Sequence, residues 1–307
     1  MEGAVQLSAA PRRILAARGG ALGDFIVTLP ALAALRRRYP EASLHLLAHP
    51  AHAALAAEDG LCDGWRSLES AGLAPFFVAG GNSDGSWREW MGAFDLVVSW
   101  LADEAGTFRE NLRACGVPHI LQGPWTFAEA APVSQQLAAA LRPLGITDAA
   151  AVHRLRFPGQ PASHGITVHP GSGSARKNWP AASWLALLTA LGADAGPVTV
   201  ITGEAESGPA LELVSRLAAA GLQVTASHGA GLVELCDLLS RSRLHLGHDT
   251  GISHLAAACG TPCALLYGPA SPPQWEPPAP TVRVLRTSDM ENLSAATVRH
   301  WMQASLA

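Results

Sequence analysis

Short apolar runs that end in glycine-rich turns and continue into helical stretches recur along this chain of 307 residues. At residues 14–38, such a run leads through Gly20 and Gly23 into a stretch with apolar side chains at three- and four-residue spacing. The same order recurs over residues 165–191, 197–220 and 244–259. Strands that alternate with helices at this spacing predict β–α–β units and parallel sheets.

The length accommodates two such units, since a domain has roughly 150 residues. Residues 157–164 are rich in proline and glycine, and we interpret them as a linker. The sequence therefore predicts an α/β fold of two Rossmann-like, doubly wound domains that face a central cleft. The N-terminal domain is predicted over residues 1–158 and the C-terminal domain over 159–307. A final helix over 294–306 could pack back on the first domain.

Composition and charge exclude several classes of protein. Hydrophobic residues make up 49% of the chain and charged residues 15%, so a large core is available and disorder is not expected. The net charge of −4 and the lack of a basic block argue against a nucleic-acid partner. We expect no signal peptide and no membrane span. Five cysteines without paired spacing fit a reducing compartment, which predicts a cytoplasmic location.

The most glycine-rich loop, residues 169–180, is the first segment with a predicted ligand. Ser172 and Ser174 carry hydroxyls that can donate to phosphate oxygens, and Gly173 lets the backbone approach a ligand closely. Lys177 is the only lysine among the chain's 21 lysine and arginine residues. A compact ammonium fits a single phosphate oxygen better than a wide guanidinium fork does. We expect this loop to hold a diphosphate, and a solvated surface lysine is the alternative.

A second turn between a strand and a helix spans residues 247–254. The N–H groups of Thr250 and Gly251 at the helix start could bind the same diphosphate. A helix N-cap at Asp249 with nothing bound is an equal alternative. The histidines of this segment lack the spacing of paired metal ligands, and His254 stays open between a structural role and a site role.

Carboxylates follow two further strands. Asp24 comes after Gly20 and Gly23 at the end of the first predicted strand, facing the cleft, and a helix N-cap is its alternative role. Glu204 or Glu206 follows the strand that ends at residue 202 and could accept ribose hydroxyls.

Taken together, these segments resemble one family. The chain is similar to glycosyltransferase family 9, whose best-known members are the ADP-heptose lipopolysaccharide heptosyltransferases. The likeness covers most of residues 12–276 and is looser over 60–160. The matching segments are 20–24, 28–32, 169–173, 177–180, 249–251, 254–257, 260–262 and 267–269.

This resemblance implies a GT-B fold and an inverting enzyme that needs neither a metal ion nor another cofactor. It implies a nucleoside-diphosphate sugar donor, with ADP-heptose expected, and a lipopolysaccharide-type or other glycan or glycolipid acceptor. We expect no protein partner, and a lipid acceptor would bring the chain to the inner face of the inner membrane. The expected site comprises Asp24 as catalytic base, Gly20 and Gly23 on the acceptor side, Ser172, Gly173, Ser174, Lys177, Thr250 and Gly251 around the diphosphate, and Asp249, Glu206 and His254 near the donor sugar or nucleoside.

Three alternatives stay open. The chain could use another nucleotide sugar, act as a nucleotide-sugar epimerase, or bind a nucleotide sugar without catalysis. Residues 60–160 have no assigned role, and they include a polar turn at 80–86 and the tryptophans Trp87, Trp90 and Trp100. Their low content of lysine and arginine argues against a strongly phosphorylated lipid acceptor.

Overall fold

The chain consists of two units, seen in a computed structural model that describes residues 7, 9–81, 84–157, 165–203, 207–278 and 280–306. The first unit ends at His153 and the second begins at Arg154. Two contacts tie the residues after His153 to the second unit. The N–H of Leu155 donates to the carbonyl of Ala258 over 2.9 Å, and the Arg154 guanidinium lies against Gly260. The boundary predicted between 158 and 159 lies outside the described residues.

The first unit is a parallel sheet with helices between its strands. The strands are β1 (Arg13–Ala17), β2 (Ser43–Ala48), β3 (Gly64–Ser67), β4 (Leu96–Ser99) and β5 (His119–Gln122). The helices are α1 (Leu22–Ile26), α2 (Leu29–Arg38), α3 (Pro50–Glu58), α4 (Gly85–Gly92), α5 (Thr107–Ala114) and α6 (Val133–Ala139), with 3-10 turns at Ala71–Phe77 and Arg142–Leu144. The strand order is β3-β2-β1-β4-β5, with every pair parallel.

The periodic stretch that ends at residue 38 predicts a single helix over residues 25–38, whereas the structure has two helices there, α1 and α2. Pro30 lies in the first turn of α2 and has no N–H to donate to the preceding turn. The Thr28 hydroxyl instead donates to the carbonyl of Asp24 over 2.8 Å. The chain therefore turns between the two helices.

The second unit repeats the arrangement with one more strand. Its strands are β6 (Ile166–Val168), β7 (Val198–Thr202), β8 (Val224–His228), β9 (Leu244–His248), β10 (Cys263–Tyr267) and β11 (Val282–Arg286). Its helices are α7 (Ala181–Leu191), α8 (Ser207–Ala219), α9 (Leu232–Ser240), α10 (Gly251–Ala258) and α11 (Ala295–Leu306), with 3-10 turns at Ala175–Lys177, Gly192–Ala195 and Pro273–Trp275. The strand order is β11-β10-β9-β6-β7-β8, again with every pair parallel.

The final helix packs within the second unit. Val298 and Met302 of α11 are buried in the same apolar cluster as Trp184 and Leu187 of α7. The core of the second unit therefore takes up these apolar side chains of the last helix, and packing of this helix on the first domain stays a prediction. Within the described residues, no helix is both long and apolar enough to cross a bilayer.

Candidate active site

The predicted diphosphate loop and the predicted donor turn come together at one edge of the second sheet. Strands β6 and β9 are hydrogen-bonded neighbours, with Val168 opposite Leu246. The N–H of His169 donates to the carbonyl of Leu246 over 2.9 Å, and His169 Nδ1 lies 3.2 Å from Thr250 Oγ1. Because the carboxyl ends of parallel neighbours meet at the same edge, the two turns form one surface.

Lys177 forms an ion pair across these two turns. Its Nζ donates to Oδ2 of Asp249 over 2.6 Å. The Lys177 side chain is 26% exposed, whereas the Asp249 side chain is 8% exposed. The lone lysine is therefore held at this edge of the sheet by a buried carboxylate, and it is not a freely solvated surface side chain.

Helix α10 begins at this edge, and Thr250, not Asp249, is its N-cap. Thr250 Oγ1 accepts from the N–H of Ser253 over 3.3 Å. The amides of Gly251 and Ile252 in the first turn have no acceptor within the helix. They give this edge donors and the positive end of a helix dipole beside the ammonium of Lys177.

A chain of buried hydrogen-bonding groups orients the Thr250 hydroxyl. Its Oγ1 lies 3.3 Å from Ser253 Oγ, which lies 3.4 Å from His245 Nε2. His245 Nδ1 in turn lies 3.1 Å from Thr167 Oγ1. Burial lowers the pKa of His245 to about 3, so the imidazole is neutral near pH 7 and acts as a hydrogen-bonding bridge.

The glycine-rich loop closes on itself through Ser172. The Ser172 hydroxyl lies 2.6 Å from Asn178 Oδ1 and 2.7 Å from the carbonyl of Ser174, and it accepts from the N–H of Ser174 over 3.2 Å. Ser172 is buried, whereas Gly173 is exposed. The Ser172 hydroxyl therefore has its hydrogen-bond partners within the loop, whereas Gly173 lies at the exposed surface of the loop.

His248, which the sequence reasoning did not select, holds both ends of that loop. Its Nε2 accepts from the N–H of Trp179 over 3.0 Å, and its Nδ1 lies 3.5 Å from the carbonyl of Gly171. The ring meets Trp184 edge-on, with centroids 5.3 Å apart. A histidine directly after Gly247, where a predicted strand passes into a turn, was the signal available in the sequence.

The remaining donor-side predictions have different outcomes. His254 is buried in the first turn of α10, where its N–H donates to the carbonyl of Thr250 over 3.1 Å. Glu206, the predicted ribose contact, lies outside the described residues, and so does Glu204.

Two cavities open at this edge of the second unit. One, of about 310 Å³, lies at the ends of β6, β7 and β8 and is lined by residues that include His169, Gly203, Gly229, Leu232 and Ile252. The other, of about 530 Å³, lies between the glycine-rich loop and the starts of α7 and α8, with Gly171, Asn178, Trp184, Thr202 and Leu213 among its walls. Apolar walls with a few polar groups are typical of small-molecule sites.

In the first unit, Asp24 lies at the carboxyl end of β1, in the third position of α1 and not at its N-cap. Its Oδ2 accepts from the N–H of Ala21 over 3.0 Å. Gly20 has a φ of +91°, and a Cβ there would lie 2.7 Å from Asp24 Cγ. Glycine is therefore required for both the backbone conformation and the close approach of the carboxylate. Gly23 lies beside Asp24 within the same helix.

Arg18 holds the other oxygen of that carboxylate. Its Nη2 donates to Asp24 Oδ1 over 3.0 Å, and its Nη1 donates to the carbonyl of Trp100 over 3.4 Å. The Arg18 side chain is only 7% exposed. Burial lowers the pKa of Arg18 and the charge of Asp24 raises it, and an arginine stays protonated in proteins. The sequence reasoning missed this residue.

A buried imidazole packs against Phe25 of α1. His52 stacks on Phe25 with ring centroids 5.1 Å apart. Burial, together with the neighbouring His49, lowers the pKa of His52 to about 4. Its Nδ1 has no hydrogen-bond partner among the described residues. The edge of the first sheet thus combines one paired carboxylate with a neutral imidazole.

Comparison with known families assigns the chain. The family described as glycosyltransferase family 9 (heptosyltransferase) matches residues 130–300, more than half of the chain. The chain belongs to glycosyltransferase family 9. It is therefore a glycosyltransferase, and the predicted family and enzyme class are confirmed. The matched range includes the turns of Lys177 and of Thr250.

Solved structures share the fold of this glycosyltransferase. A family 9 glycosyltransferase from Veillonella parvula DSM 2008 is 16% identical, with 95% of this chain and 96% of that chain covered and a TM-score of 0.79. The E. coli heptosyltransferase WaaC with ADP is 17% identical, with 95% and 99% covered and a TM-score of 0.76. E. coli ADP-heptose lps heptosyltransferase II is 16% identical, with 95% and 98% covered and a TM-score of 0.73. No curated protein matches in sequence. These structures confirm the predicted α/β class of GT-B type.

Proposed function

We propose that this glycosyltransferase moves a heptose from ADP-heptose to a saccharide hydroxyl of a glycan acceptor, with inversion and without a metal ion. The family description and the E. coli heptosyltransferases support the sugar and the nucleotide. The acceptor class includes a lipopolysaccharide-type core. With a lipid-linked acceptor, the enzyme would work at the inner face of the inner membrane.

The observation that carries this proposal is the fixed ammonium of Lys177 beside the start of α10. Transfer from a nucleotide sugar develops negative charge on the departing diphosphate. Lys177 and the first-turn amides of Gly251 and Ile252 supply positive potential on one surface, already oriented before the ligand binds. Groups held ready where charge develops stabilise a transition state at little reorganisation cost.

The nucleoside has a suitable place next to this diphosphate surface. The cavity of about 310 Å³ includes His169, the neighbour of Thr250, in its wall. Leu232 and Ile252 provide apolar contacts for a flat base, and Gly229 allows close approach to the backbone. Glu206 remains the predicted partner of the ribose hydroxyls.

Asp24 is the proposed base. It takes the proton of the acceptor hydroxyl, whose oxygen bonds to the anomeric carbon from the face opposite the leaving diphosphate. Positive charge develops on the sugar ring as the bond to the diphosphate breaks. Arg18 and the N–H of Ala21 orient the two oxygens of the carboxylate without filling all of their lone pairs. A base of this kind contributes about 10²–10⁴-fold to the rate.

Thermal unfolding with ADP, UDP and GDP, followed by transfer assays with ADP-heptose, tests the proposal. We expect ADP alone to stabilise the protein, by roughly 2.7 kcal/mol at a concentration of about 100 times Kd. The anomeric configuration of the product, read by NMR, should be inverted, and added chelator should leave the rate unchanged. A response to UDP would favour another nucleotide sugar. Conversion of the donor sugar without an acceptor would favour an epimerase, and binding without turnover would favour a non-catalytic protein.

A further inference from the structure

The charge of the acceptor-side edge of the first unit is unusual for an enzyme that would bind a phosphorylated glycan. Ligands of parallel α/β sheets bind at the carboxyl ends of the strands. Arg18 is the only lysine or arginine in the segments that follow the five strands, and it is already paired with Asp24. Those segments are 18–21, 49, 68–84, 100–106 and 123–132.

Acidic side chains outnumber that arginine in the same segments. Arg109, in the first turn of α5, is preceded by Asp103, whose carboxylate accepts from two amides at the start of that helix. The cations just outside these segments include Arg109 and also Arg66 of β3, whose guanidinium carbon lies 4.7 Å from the Trp87 ring centroid and 4.6 Å from that of Trp90. The acidic residues of the segments are Glu69, Asp84, Asp103, Glu104 and Glu129.

Aromatic rings lie beside the proposed base instead. The Arg18 guanidinium carbon is 5.9 Å from the centroid of the Phe127 ring, and Arg18 contacts Asp24. Trp125, two residues earlier in the same segment, is 37% exposed. Flat aromatic faces bind the C–H faces of sugar rings and need no charge on the ligand.

Two histidines lie at this edge, His49 and His52. His49 Nδ1 lies 3.1 Å from Glu69 Oε1, so this ring nitrogen already has a carboxylate partner. Burial keeps His52 neutral near pH 7, since its pKa is lowered to about 4. A buried neutral imidazole supplies no positive charge that would attract a phosphate.

From these observations we infer that the acceptor is an uncharged saccharide, without a phosphate or carboxylate near the reacting hydroxyl, whose ring lies against Trp125 and Phe127. A phosphate dianion at this edge would lie among segments that carry five acidic residues and a single arginine, and that arginine is already paired with Asp24. The inference rests on the proposed function, because it takes Asp24 as the base and the first unit as the acceptor side.

Pairs of acceptors that differ only by a phosphate test whether the enzyme prefers an uncharged acceptor. Octyl glycosides of glucose, galactose, mannose and N-acetylglucosamine, each paired with its 4-phosphate and 6-phosphate, are presented to the enzyme saturated with ADP, and binding is read by saturation-transfer NMR. ADP release from ADP-heptose is then measured on the pairs that bind. We expect the neutral member to have the higher kcat/KM by roughly tenfold or more at low ionic strength, with a KM that is insensitive to salt up to about 0.3 M.

Preference for a phosphorylated member, binding of neither member, or transfer to serine-containing peptides alone would overturn the inference. Calorimetry with ADP distinguishes failure of the proposed function from failure of the inferred acceptor class. Wild-type enzyme that binds ADP and prefers phosphorylated acceptors retains the proposed function and loses the acceptor class. Enzyme that does not bind ADP loses the proposed function itself.

Aromatic variants test the stacking surface. Trp125→Ala and Phe127→Ala should raise the acceptor KM by roughly tenfold while ADP affinity is unchanged. Trp65→Ala is the matched control, because Trp65 is similarly exposed but lies within β3 and not at its carboxyl end. Trp125→Leu keeps an apolar side chain at this position, so it is less prone to misfold than Trp125→Ala and should give an intermediate acceptor KM. Glu129→Lys should raise kcat/KM for the phosphorylated members, and an unchanged preference in all of these variants would refute the assignment.

Discussion

The ion pair between Lys177 and Asp249 makes a prediction that separates stability from ligand binding. Lys177→Met removes the ammonium that lies 2.6 Å from a carboxylate with 8% exposure. Breaking a buried pair from one side costs about 3–5 kcal/mol, and the partial exposure of Lys177 reduces the expected loss of unfolding free energy to about 2–3 kcal/mol. Asp249→Asn in the same chain removes the stranded charge, so Lys177→Met/Asp249→Asn should recover most of that loss.

Affinity for ADP should respond differently. An ammonium about 4 Å from a phosphate charge gains about 4 kcal/mol at an effective dielectric constant of about 20. Desolvation and competition from Asp249 take part of this gain, so Lys177→Met should weaken ADP binding by about 2 kcal/mol, or roughly 30-fold. The double variant should remain weak although its stability is restored.

Urea unfolding and calorimetry with ADP measure the two effects. Arg176→Met is the matched control, because Arg176 is the exposed neighbouring cation, and it should change Kd by less than about threefold. Lys177→Arg should recover part of the affinity, since the charge is kept in a wider group. Unchanged ADP affinity in Lys177→Met would refute the diphosphate role, and a double variant as unstable as the single one would refute the buried-charge argument.

Three further predictions concern the other groups of the two edges. Asp24→Asn should lower the rate of transfer by at least about 10²-fold and leave ADP affinity unchanged. Arg18→Gln should lower kcat by roughly tenfold without raising the donor KM. Wild-type turnover in Asp24→Asn would show that Asp24 is not the base. His248→Ala leaves the N–H of Trp179 without its acceptor and should cost about 1–3 kcal/mol in urea unfolding and raise the Kd of ADP, and a variant with wild-type values for both would contradict the proposed tie. The pKa of His52 is lowered to about 4 on folding, so its contribution to stability is complete above the unfolded pKa of about 6.5 and is lost as the pH falls toward 4. His52→Phe should flatten the unfolding free energy over that range, and an undiminished slope would count against this assignment.

Most of the fold could be predicted because interior parallel strands are buried on both faces. The apolar run of residues 263–267 predicts a strand and the periodic stretch of residues 181–191 predicts a helix, and the structure has β10 (Cys263–Tyr267) and α7 (Ala181–Leu191) at these bounds. The missed strands are β3 and β11, and both lie at sheet edges. An edge strand buries fewer side chains, so arginines interrupt the apolar pattern of β11 and no continuous run marks it.

The site could be predicted only as far as local motifs reach. Asp24, Lys177 and Thr250 were selected because each lies in a turn between a strand and a helix. Some of their partners come from distant parts of the sheet, as Asp249 does 72 residues after Lys177 and His169 does 81 residues before Thr250. A sequence pattern identifies a loop but not the carboxylate or imidazole that faces it. For that reason the predicted site lacks His248, and the alternative N-cap role was given to Asp249 although Thr250 is the N-cap.

The single lysine also allows selective chemical modification of this enzyme at one side chain. Apart from the amino terminus, the side chain of Lys177 is the only primary amine of the chain. An amine-selective reagent therefore modifies one side chain, at the ligand edge, without any mutation of competing sites. The rate of acylation of that amine reports directly on the ion pair with Asp249, and protection by a bound nucleotide can be read from one peptide in a mass spectrum. A probe attached there would label the donor edge of the unaltered protein.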